Sequence, residues 1–137
     1  MSQTLTKPVR FAGYAALFGK RDAGLDVIAP GAFATALAEQ TAPLPLLWQH
    51  RADMRIGWIE MAREDTRGLR VLARIDNPAG GAAAALKRGS VTGLSFGYRV
   101  REAKNDGVGR EISDLRLFEV SLVTHPMQHG ARVHLVE

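Results

Sequence analysis

Between Gly68 and Ile75 the chain alternates, with Leu69, Val71, Ala73 and Ile75 opposed to Arg70, Leu72 and Arg74. That is the period of a strand with one buried face and one mixed face. The same period returns at Gly93–Arg101, where Leu94, Phe96, Tyr98 and Val100 point one way and Gly93, Ser95, Gly97, Arg99 and Arg101 point the other. In the apolar run Leu115–Val123, Phe118, Val120 and Leu122 read as the core side, leaving Glu119 and Ser121 opposite. Further strands are expected at Val9–Phe18, Leu44–Trp48, Arg55–Ala62 and Arg132–Leu135, and the run around Glu119 extends over Arg110–Val123 with a bend or interruption.

Helical signals are fewer. Pro78–Arg88 has Asn77 as an N-cap, Pro78 suited to the first helical position, an alanine-rich body, Lys87 and Arg88 at its negative end, and Gly89 to stop it. Gly31–Glu39 pairs Phe33 with Leu37 one turn apart and is halted before Pro43. Two short helices cannot interleave with seven strands as βαβ units. The expected fold is therefore mainly β: a small, mostly antiparallel barrel of about seven strands with helices packed outside. No repeat or long linker divides the chain, so residues 1–137 are expected to form a single domain.

Composition narrows the classes. Zero cysteines remove both a disulfide framework and a thiolate nucleophile. The N-terminal residues 1–8 lack the apolar segment of a signal peptide, and no run is long enough to span a bilayer, so a soluble intracellular product without a membrane partner is expected. The net charge of +4 is scattered rather than blocked, which reads as an ordinary solvated surface. Phe96 and Tyr98 share the core face with Leu94 and Val100, which argues against a stacking platform for specific nucleic-acid binding.

The polar face of Gly93–Arg101 carries the candidate chemistry. Ser95 sits between two glycines, so no bulky neighbour shields its hydroxyl. A serine needs a base, itself oriented by a third group, before it can attack a carbonyl. His50 closes the apolar run Pro45–Gln49 at a strand end, where it is either a base or a plain surface histidine. Glu119 is a lone carboxylate in an apolar stretch and must be exposed, paired or hydrogen-bonded; its partner is either an imidazole or a cross-strand arginine such as Arg99. Arg99 and Arg101 are candidates for oxyanion stabilisation. The Gly-x-Ser-x-Gly spelling is not a nucleophile elbow, because strand continues after it where a helix is required. His125, His129 and His134 are expected in loops rather than around a metal, since Pro126 and Gly130 break the helix that would align them; no cofactor or metal is expected.

Five ordered blocks carry a resemblance: Phe11–Phe18, Asp26–Phe33, Pro45–His50, Gly93–Tyr98 and Leu117–Thr124. Together they are similar to the prohead maturation proteases of tailed bacteriophages and gene transfer agents, a serine peptidase family akin in fold to herpesvirus assemblin. The resemblance implies a serine endopeptidase with His50 as base, Ser95 as nucleophile and Glu119 as acid. It implies action in the bacterial host cytoplasm, inside the assembling prohead, on the scaffolding segment of the major capsid protein and on the protease itself. A homodimer is compatible with it. The alternative is a non-catalytic capsid-assembly or scaffold-binding barrel of the same fold. The turn Thr124–Met127 departs from the Pro-Ala-Asn type usual in the family.

Overall fold

The computed structural model describes residues 7–137, so the reading of Met1–Thr6 lies outside the described residues. The elements run β1 (Val9–Leu17), β2 (Asp26–Ile28), α1 (Ala34–Glu39), β3 (Pro45–Trp48), β4 (Arg51–Glu64), β5 (Gly68–Ile75), α2 (Gly81–Lys87), β6 (Gly93–Asn105), β7 (Arg110–Val123) and β8 (Val133–Val136). All strands join one sheet in the order β2-β7-β3-β4-β5-β1-β8, with β6 on the remaining edge of β7. Pairing is mostly antiparallel, as expected; β2 and β3 run parallel to β7. The sheet curls until its ends meet through bridges Phe18–Ile28 and Gly93–Arg132, reinforced by Leu94 N–H donating to Ala131 O at 2.9 Å.

The alternations place the core. Leu69, Val71, Ala73 and Ile75 are all buried, and Leu94, Val120 and Leu122 are fully enclosed on the adjoining strands. Phe33 is fully buried and meets Phe96 edge-on, ring centroids 5.2 Å apart at 69°. Glu64 at the end of β4 accepts the N–H groups of Gly31 (2.7 Å) and Phe33 (2.8 Å), satisfying orphan donors where α1 begins.

Several expectations change. The short β2 is an additional strand; its three residues offer no periodic signal and are fixed instead by side-chain contacts. Asn77 does not cap a helix: its side chain accepts the Ala79 N–H at 3.0 Å in a local turn, and α2 starts three residues beyond Pro78, at Gly81, with Gly80 as its N-cap. β4 begins at Arg51 rather than Arg55, and β6 runs on to Asn105. Phe118 is 44% exposed rather than on the core side. The register passes from Gly97–Glu119 to Tyr98–Leu117, so Phe118 is an extra residue, a β-bulge that turns it outward. Among the described residues, no helix is long and apolar enough to cross a membrane.

A polar knot ties β2 to the rest. Asp26, buried, accepts Arg110 Nε at 3.0 Å and Nη2 at 2.9 Å, and the Tyr98 hydroxyl at 3.1 Å. The Arg110 hydrogen bonds, which outweigh burial, hold the Asp26 carboxyl below its ordinary range, while burial and the neighbouring Asp26 push the Tyr98 phenol up to about 12. A depressed carboxyl contributes stability above its unfolded pKa, lost as pH falls through the folded value. Urea unfolding across a pH series should therefore show stability declining below the ordinary aspartate range, and a shallower decline in Asp26→Asn from a lower starting point.

Candidate active site

The site begins with a turn. β3 and β4 pair through Trp48 and Arg51, so Gln49 and His50 alone form the loop of a hairpin. Both have positive φ, 53° and 60°, the signs of a type I′ turn that normally selects asparagine and glycine. Holding two other residues there costs roughly 1–3 kcal/mol each, so the surroundings must enforce it. Hydrogen bonds to the end of β7 do so. Gln49 N–H donates to Leu122 O at 2.9 Å; its side chain donates to Thr124 Oγ1 at 2.7 Å and accepts Thr124 N–H at 3.0 Å. His50 N–H donates to Ser121 Oγ at 3.1 Å.

The fixed turn aims the imidazole at Glu119. His50 Nδ1 lies 2.6 Å from Glu119 Oε1, and the Ser121 hydroxyl donates to Oε2 at 2.7 Å. Each carboxylate oxygen thus has its own partner, and the arginine alternative gives way: Arg99 forms no ion pair with Glu119. With Glu119 ionised, Nδ1 carries the proton and Nε2 is left as the free, basic nitrogen. The hydrogen bond to Glu119, aided by its charge and opposed by burial, raises the His50 pKa above the ordinary imidazole value. The imidazole remains 41% exposed, open to a reactant.

Ser95 lies across the ladder. It faces Ser121 directly, and Gly97 faces Glu119, so Ser95, Ser121 and Glu119 occupy adjacent positions of two paired strands. Side chains directly opposed on such strands share a face, with Cβ atoms about 5 Å apart. Ser95 is only 4% exposed, yet among the described residues its hydroxyl makes no hydrogen bond. Among the described residues no sealed side-chain polar atom lacks a partner, so the Ser95 hydroxyl keeps no more than a narrow opening to the surface.

Gly97 is needed for clearance. A Cβ there would stand 3.0 Å from Glu119 Cγ and Cδ and closer still to Oε1. Sequence reasoning missed Gln49 and Ser121 as parts of the site, and placed Gly97 beside Ser95 without its clearance for Glu119. For Ser121 the signal was available, because it lies two residues from Glu119 on the same strand face.

The other candidates are dispersed. Arg101 is paired with Glu39 at 2.9 Å. Arg99 lies four residues along β6, about 13 Å from Ser95 at strand rise, too far to donate to an oxyanion there. His129 sits against Arg132, and His134 stacks on Tyr14 with centroids 5.9 Å apart. Among the described residues no three metal-capable side chains converge.

Comparison with known proteins bears on the family and the fold. Residues 1–137 match the caudovirus prohead serine protease family. The chain is 35% identical to the prohead protease of Enterobacteria phage HK97 across 90% of its length, and 30% identical across 73% to the capsid polyprotein of Pseudomonas phage PAJU2. It spans 58% of the first relative and 17% of the second. The fold is shared with the KSHV protease (TM-score 0.64, 17% identity, 96% of this chain and 65% of that one). It is also shared with the bacteriophage T4 capsid assembly protease (TM-score 0.64, 16% identity, 83% of this chain and 80% of that one).

Removing the Ser121 hydroxyl should loosen the carboxylate. Ser121→Ala leaves Glu119 Oε2 and the His50 N–H without partners, a loss of about 1–3 kcal/mol in unfolding free energy. Gly97→Ala should displace the carboxylate sterically. In both variants NMR titration should show the His50 pKa falling toward its ordinary value; an unchanged pKa would mean that neither residue holds the pair.

Proposed function

Because the chain belongs to the caudovirus prohead serine protease family, we propose that residues 1–137 act as one serine endopeptidase domain with Ser95 as nucleophile, His50 as base and Glu119 as orienting acid. The observation that carries this reading is the 2.6 Å contact between His50 Nδ1 and Glu119. It leaves Nε2 as the uncommitted ring nitrogen, and the strand pair that carries Glu119 also holds a serine hydroxyl with no partner among the described residues.

In the proposed reaction Ser95 Oγ attacks the scissile carbonyl carbon while its proton passes to His50 Nε2. The C–N bond then breaks, and the same proton goes to the leaving amine. Water repeats the sequence on the acyl-enzyme, giving its proton to His50 and releasing the new carboxyl group as the proton returns to Ser95. Glu119 stabilises the imidazolium in both halves, which is the work that a raised imidazole pKa measures.

The substrate we infer is the scaffolding segment of the major capsid protein, with self-cleavage, inside a prohead assembling in the host cytoplasm. One relative is itself named a capsid polyprotein, which supports a capsid protein as partner. An extended substrate has a place to lie, since β6 pairs with β7 alone apart from the bridge at Gly93. A second copy of the chain as dimer partner, and a cleavage-inactive assembly role, are the readings to be tested against this one.

A fluorophosphonate probe should label the wild-type protein and spare Ser95→Ala, which should keep the fold and lose peptide-bond cleavage. Glu119→Gln should lower turnover by up to ~10⁴. Labelling that persists in Ser95→Ala would remove the nucleophile, and no labelling of the wild type would favour the assembly role.

The pH dependence has a definite sign. Activity needs neutral His50, so kcat/KM should rise with pH through a pKa above the ordinary imidazole value, and Glu119→Gln should move that limb to lower pH. Stability runs the other way: the contribution of the His50–Glu119 pair is full below the unfolded imidazole pKa and is lost as pH rises through the folded value. Unfolding measured on the same pH series checks both directions.

A further inference from the structure

The face that presents Ser95 continues into a positively charged row. On β6, Ser95, Gly97 and Arg99 follow at two-residue intervals; opposite them on β7 stand Ser121, Glu119 and Arg116. Arg99 and Arg116 are therefore direct cross-strand neighbours, an arrangement of like charges that destabilises a sheet. Both are exposed, and neither makes an ion pair among the described residues. Their carboxylate neighbours are engaged elsewhere: Glu119 by His50 and Ser121, Glu39 by Arg101 at 2.9 Å. The charge of Arg116 acts on Glu39, and that of Asp114 on Arg101, without closing a contact on Arg99. Arg116 is steadied by Phe118, its guanidinium 5.3 Å from the centre of the outward-turned ring. Beside it a polar cavity of about 250 Å³ opens, lined by Glu39, Thr41, Arg101 and Arg116.

We propose that Arg99 and Arg116 form a subsite for an acidic side chain of the substrate, about four residues from the scissile bond. The inference rests on the protease reading and adds to it a determinant of specificity. Its spacing follows from strand geometry. Ser95 and Arg99 are four residues apart, about 13 Å, and an extended peptide lying along β6 advances at the same rate. An even interval also keeps the side chain on the face it needs. An aspartate or glutamate there supplies the counter-charge that the fold leaves out.

The test uses a neutral peptide cleaved at one bond, with a single Glu, Gln or Lys placed in turn at each of five positions on either side. The readout is the ratio of kcat/KM for the Glu and Gln peptides within each protein variant. The wild type should favour Glu by roughly fivefold at the fourth position on one side, with the preference fading at high salt. Arg99→Glu/Arg116→Glu should invert the preference at that position toward a Lys peptide, and Arg99→Gln and Arg116→Gln should each reduce it. Thermal unfolding confirms that the variants are folded. A Glu preference equal at all positions, or one that survives charge reversal in folded protein, overturns the subsite. Fluorophosphonate labelling of Ser95 separates the two levels: labelled protein without the positional preference refutes the subsite alone, whereas absent labelling and cleavage refute the protease reading beneath it.

Discussion

The site depends on the register of one strand. At residues 120–122, β7 has partners on both edges, β3 running parallel and β6 antiparallel, so Ser121 stands between Leu47 and Ser95. A slip of one residue in either ladder would send Ser121 and Glu119 to the core face and bring Val120 out. The burial of Val120, Leu122, Leu94 and Leu46, all fully enclosed, resists that slip. Core packing thus fixes polar geometry: the hydrophobic side of β7 determines where its hydrophilic side must point. The bulge at Phe118 completes the arrangement, because it shifts the alternation once, so that Leu117 can stay inward while Glu119 faces out beside Gly97.

Upon that register rests a strained turn. Gln49 and His50 occupy a backbone conformation that glycine or asparagine would adopt more readily, and their hydrogen bonds with Leu122, Thr124 and Ser121 hold them in it. Strain of this kind persists only where the surroundings over-determine it. Here it has a visible use. A two-residue loop leaves the imidazole little freedom, so its ring meets Glu119 without ordering a long segment first. The Asp26–Arg110–Tyr98 knot adds side-chain bonds at the far end of β7, where they supplement the three-residue ladder of β2.

Much of this was legible from residue pattern, and the misses share a cause. Strands with clean alternation, such as β5, declared both their extent and their inner face, because period-two burial leaves a period-two sequence. The resemblance of the five ordered blocks pointed to His50, Ser95 and Glu119, of which the structure joins His50 to Glu119 directly. What was not legible depends on breaks in periodicity or on contacts distant in sequence. The bulge at Phe118 is one extra residue within an apolar run, where either parity looks reasonable. The displaced start of α2 came from Asn77 bonding locally to Ala79 instead of capping, a competition that residue identity cannot decide. β2 is tied at Asp26 to Arg110, 84 residues further along.

The two serines that face each other show how identical groups acquire different capacities. Ser121 is fully enclosed, and its hydroxyl is committed twice, donating to Glu119 and accepting from the His50 backbone. Its proton cannot leave without unpairing the carboxylate that it orients. Ser95, one strand away, has neither commitment among the described residues, and its hydroxyl reaches the surface. A nucleophile needs a proton free to pass to a base and an oxygen free to approach carbon. Of these two, Ser95 alone has an uncommitted hydroxyl among the described residues, so in the proposed reaction hydrogen-bond saturation separates the serine assigned to attack from the one that holds the carboxylate.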